Sequence, residues 1–73
     1  MKPVQVKMAR AALGWSMEKL AKAAGVHRNT VSNFETEIYG GDPATLQKMK
    51  RALEKAGIEF TNGDAPGVRL KKK

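Results

Sequence analysis

The sequence has no cysteine, one histidine, three prolines, one tryptophan, one tyrosine and two phenylalanines among its 73 residues. Without cysteine there is neither a disulfide staple nor a thiolate metal site, so apolar packing must hold the fold. A chain of this size buries only about 60% of its unfolded surface, so a homodimer is expected on stability grounds. No apolar run approaches the roughly 18 residues of a spanning helix, and the first ten residues, MKPVQVKMAR, lack a signal-peptide core. The expectation is a soluble, cytoplasmic protein with no membrane partner. His27 has no cysteine nearby and no acid at helical spacing on its own helix, whereas zinc needs three or four protein ligands and nucleophilic catalysis needs convergent groups. The reading is therefore no metal, no cofactor and no enzyme.

Acidic residues are also scarce. Fourteen Lys and Arg stand against seven Asp and Glu, a formal charge of +7 that points toward a polyanionic partner. Arg69 and Lys71 to Lys73 supply four of those cations, so residues 1–68 carry ten cations against seven acids. The folded part is basic, but modestly.

What is present is helical periodicity for most of the chain. Pro3 suits the first position of a helix and Gly14 its end, with Val4, Met8, Ala11, Ala12 and Leu13 as the expected apolar stripe. Arg10 lies beside that stripe, where an unpaired cation is costly, and Glu35 is the best-placed carboxylate to meet it. Ser16 reads as an N-cap with Glu18 in the first turn, and Trp15 as the apolar residue of a staple onto Leu20. Leu20, Ala21 and Ala24 then face inward. Residues 36–41, TEIYGG, read as a loop in which Ile38 and Tyr39 cover the core. Asp42 and Pro43 open a further helix to Ala56 that buries Leu46, Met49 and Leu53 and shows Lys48, Lys50, Arg51 and Lys55 to solvent. Beyond Gly57 the period changes to two. Residues 58–60 and 68–71 alternate apolar and polar around the turn-forming TNGDAPG, predicting two short strands. They pair with each other or across a subunit boundary, and exchange or edge pairing between protomers is the expected dimerisation device. Residues 1–57 thus read as one domain and 58–73 as a strand segment with a basic tail.

The stretch 16–35, SMEKLAKAAGVHRNTVSNFE, organises the chain. Two short helical patterns meet at Ala24-Gly25-Val26, where glycine can take the positive φ of a tight helix-turn-helix corner. Val31 and Phe34 face inward, leaving Arg28, Asn29, Ser32 and Asn33 on an outer face with no acid. Arginine matches guanine O6 and N7, and asparagine matches adenine N6 and N7. Arg28, Asn29 and Asn33 are therefore candidates for base contacts. Thr30 and Ser32 suit flanking phosphates, and His27, at the helix start, suits a phosphate contact or a polar cap.

Arg10, Leu20-Ala21, Ala24-Gly25-Val26, Arg28, Thr30-Val31-Ser32, Phe34-Glu35 and Ala44-Thr45-Leu46 together resemble the Cro/C1-type helix-turn-helix, or XRE, family of regulators over residues 6–56. The resemblance implies a mainly α, lambda-repressor-like bundle of four helices, here with a C-terminal β-hairpin or dimer-exchanged strand. It further implies double-stranded DNA as partner, base contacts from the residues matching Arg28, Asn29 and Asn33, phosphate contacts from those matching Thr30 and Ser32, and a structural Arg10–Glu35 salt bridge. Three departures stand out. Met17 occupies a position where glutamine often contacts DNA, Thr36-Glu37 follows Glu35 where glycine is common, and strands replace a fifth helix. Two functions fit: a dimeric transcriptional repressor inserting its third helix into the major groove, or a protein-binding antiactivator or antitoxin on the same fold. Met8, Met17 and Tyr39 motivate the second, because adaptable methionine surfaces favour protein partners.

Overall fold

The computed structural model describes residues 1–38, 42–62 and 66–71. Four helices, α1 (Pro3–Leu13), α2 (Met17–Ala24), α3 (Arg28–Glu35) and α4 (Pro43–Lys55), precede strands β1 (Ile58–Asn62) and β2 (Pro66–Leu70). The helix boundaries have local causes. Pro3 and Pro43 begin α1 and α4, while Ser16 Oγ and Asp42 Oδ1 accept from the backbone N–H of Lys19 and Thr45 at 3.0 and 2.8 Å. Gly14 ends α1 in the left-handed conformation at φ 69°.

Successive contacts run α3 to α2, α2 to α4, α4 to β1, β1 to β2, β2 to α1 and α1 back to α3. The elements thus close a ring around one core of Val6, Ala9, Leu20, Ala21, Val31, Phe34, Met49, Leu53 and Ile58. Ile58 belongs to that core, so β1 is built into the same unit as the helices.

The inward face of α1 differs from the expected stripe. Gln5, Val6 and Ala9 are buried, whereas Val4 is 50% exposed and Ala11 and Ala12 lie at the surface. The helix is rotated so that Val6, Ala9 and Leu13 share the core side, and Met8 and Leu13 are half-buried. Gln5 takes a place no apolar pattern marks. Its Nε2 donates to the carbonyls of Thr61 and Gly67, both at 3.1 Å, and its Oε1 accepts from the Lys2 N–H at 2.7 Å. One buried amide thereby fastens the start of α1 to both strands with its polar atoms satisfied.

The strands pair with each other in antiparallel register, Ile58 opposite Leu70 through Asn62 opposite Pro66. Within the chain β2 packs on α1, and Gln5 ties both strands to that helix. Each strand also runs two residues further toward the turn than the alternation indicated, because Thr61 and Asn62 continue the ladder against Gly67 and Pro66. Apolar side chains Ile58, Phe60 and Val68 pack inward, while Glu59, Arg69 and Lys71 form a polar outer face with ion pairs from both cations to Glu59.

The segment after α3 brings two corrections. Glu37 adopts the left-handed conformation at φ 63°, doing with a side chain what glycine commonly does there. The Glu37 N–H donates to Phe34 O at 3.1 Å and the Ile38 N–H to Asn33 O at 3.0 Å, a Schellman closure that needs no glycine in the sequence. That turn sends Ile38 outward. Expected over the core, it is 78% exposed, and Tyr39, its expected companion, lies outside the described residues.

Candidate nucleic-acid interface

The corner between α2 and α3 is set by backbone geometry. Gly25 sits at φ 72°, its N–H donates to Lys22 O at 3.3 Å, and the Val26 N–H donates to Ala21 O at 3.0 Å. Val26 packs against the core at this point, which fixes the direction in which α3 departs. His27 is the N-cap of α3, with Nδ1 accepting from the Asn29 N–H at 3.0 Å. An Nδ1 that accepts leaves the ring hydrogen on Nε2, which an exposed His27 can donate to an outside acceptor. Cap and phosphate donor are thus compatible roles for one imidazole.

Along α3, Val31, Phe34 and Glu35 are buried and Arg28, Asn29 and Asn33 exposed, with Thr30 and Ser32 half-buried at the flanks. The buried carboxylate matters to the outer face. Arg10 Nε and Nη2 donate to the two Glu35 oxygens at 2.6 and 2.7 Å, and Arg10 Nη1 donates to Trp15 O at 3.0 Å. The hydrogen bond to Glu35 is the main reason the Arg10 pKa is raised above its ordinary value, partly opposed by burial. This pair joins α1 to α3, and it turns the only acid of α3 inward, neutralised. The exposed face keeps Arg28 and two amides.

Sequence reading passed over Thr36. It lies one turn beyond Asn33 and seven residues beyond Asn29, exposed on the same side, with Oγ1 donating to Ser32 O at 2.9 Å. Its spacing was the available signal, hidden because the pattern ended at Glu35. Met17, the departure at the start of α2, is half-buried and packed against the core. Lys19, also on α2, places its Nζ 5.9 Å from the centroid of the Trp15 ring, which is itself partly buried against the core.

A helix pair closed by Gly25, with a capped second helix that shows Arg28, Asn29 and Asn33, is the geometry of a helix-turn-helix. Residues 6–60 match the HTH_3 helix-turn-helix family. The chain belongs to this family. HTH_3 comprises the Cro/C1-type, or XRE, regulators, so this protein is a DNA-binding helix-turn-helix regulator. Among curated proteins no relative matches the chain. The HTH_3 match extends through Phe60 and so takes in the start of β1, consistent with Ile58 lying in the core. Among the described residues no helix is long and apolar enough to cross a membrane, and no group of three or more His, Asp or Glu is placed to hold a metal ion.

Proposed function

We propose that the protein is a cytoplasmic, sequence-specific repressor that binds double-stranded DNA as a homodimer, with α3 in the major groove. The supporting observation is the outer face of α3, where Arg28, Asn29 and Asn33 are exposed while the one acid of that helix, Glu35, is buried. Arg28 contacts a guanine and Asn29 and Asn33 contact bases through their amides, while His27, Thr30 and Ser32 meet the flanking phosphates. Repression asks least of the chain, because occupying an operator is enough to exclude other proteins from it. Size and surface support dimerism. The fold measures 29 × 26 × 19 Å, shorter than the roughly 34 Å between half-sites one helical turn apart, so a two-fold operator takes two chains. Residues 58–73 serve as the dimerisation segment, since a two-stranded hairpin leaves strand edges open and Leu70 is 44% exposed at its end.

Selection from random duplex DNA followed by gel shift tests the proposal. One two-fold motif is expected to enrich; enrichment of no motif at low salt contradicts it. A protein-binding antitoxin or antiactivator role has one supporting observation, the exposed Ile38. Met17, packed on the core, lends it nothing, Met8 is only half-buried, and Tyr39 lies outside the described residues.

A further inference from the structure

Asn29, Asn33 and Thr36 stand at i, i+4 and i+7, one above another on the exposed side of α3. Thr36 keeps a near-helical backbone at φ −92° and ψ 4°, so its side chain continues that face. Its hydroxyl is already engaged. Oγ1 donates to Ser32 O at 2.9 Å and lies 3.3 Å from Asn33 O. A threonine Cβ carries only a hydroxyl and a methyl, so the methyl is the group this exposed side chain offers outward. At about 1.5 Å per residue, Thr36 lies roughly 10 Å along the helix from Asn29, about three base-pair steps.

We propose that Thr36 is a specificity-determining residue, its Cγ2 methyl packing against the C5-methyl of a thymine about three base pairs from the one read by Asn29. The proposal rests on the major-groove placement of α3 proposed above. Thymine is the only base that presents a methyl in that groove, and an apolar contact is what recognises it. A hydroxyl bonded back to the helix discriminates poorly between donor and acceptor edges. A methyl held in one rotamer by that same hydroxyl is pre-positioned for an apolar contact.

The experiment uses the full chain and the duplex site it selects, with each thymine replaced singly by uracil, which pairs identically and lacks only the methyl. Wild type is expected to bind one of these duplexes about fourfold more weakly, the worth of one buried methyl. Thr36→Ser keeps the hydroxyl bonds and should bind the thymine and uracil forms equally at that position. Thr36→Val keeps a methyl and should retain the penalty. The contact is overturned if no uracil weakens wild-type binding, or if Thr36→Ser keeps the full penalty. Selection of no site at all overturns the major-groove reading, and this contact with it.

Discussion

Arg10 governs the reading helix without lying on it. Glu35 is buried and both its oxygens are held by the Arg10 guanidinium, so removing the arginine leaves an uncompensated carboxylate in the core. Breaking one side of such a pair costs about 3–5 kcal/mol, a large part of the roughly 5–15 kcal/mol that stabilises a small domain. Arg10→Ala should lose most of its stability in a denaturant titration. The double substitution Arg10→Met with Glu35→Leu should recover much of it, because apolar groups of similar size leave no buried charge. If the double variant is as unstable as the single one, the pair supplies something packing cannot. Glu37 is a second residue whose backbone sets its role. Held at φ 63°, it should gain about 0.5–1 kcal/mol on Glu37→Gly, measured by thermal unfolding. A loss would mean that the glutamate side chain itself holds the turn. The need of Arg10 for a carboxylate could be argued from its inward position, and Glu35 is the one it meets. The buried Gln5 could not, because an amide satisfied by two strand carbonyls distant in sequence leaves no local trace.

At the scale of elements, the four helices are legible from their ends. Pro3, Ser16, Gly25, Asp42 and Gly57 each impose a local conformation, so the boundaries follow from neighbouring residues alone. Which face of α1 turns inward was not legible, because alanine and valine occur on both sides and the choice is made by contacts with α3 and β2. The exposure of Ile38 was hidden for a related reason: a left-handed glutamate redirects the chain, and sequence favours glycine for that conformation. The hairpin carries its own electrostatic signature. Hydrogen bonds from Lys71 and then Arg69 hold the Glu59 carboxyl below its ordinary pKa. A lowered folded-state value means that the ion pairs stabilise the hairpin above the usual carboxylate range and cease to do so as pH falls through the folded pKa. Glu59→Gln should therefore melt below wild type at neutral pH, with the gap closing in acid and narrowing in high salt, since these groups are solvent-exposed. A gap independent of pH would remove the charge from this account.

For the whole molecule, net charge and helix pattern indicated different things. The +7 balance pointed to a polyanion but is concentrated toward the C-terminus, whereas the residues offered for base reading include a single cation, Arg28. Phosphate attraction and base discrimination are therefore separable by where a substitution is made. Removing Lys72 and Lys73 should weaken all DNA sequences alike and flatten the salt dependence. Changing the outer face of α3 should alter which sequence is preferred. The most direct test compares wild type and Arg28→Ala on the selected site and on every single-base variant of it. The account predicts that Arg28→Ala loses about 1–3 kcal/mol on the selected site and no longer discriminates at one base pair, with preference elsewhere intact. An equal loss on every variant would place Arg28 on a phosphate and contradict the reading role given to α3.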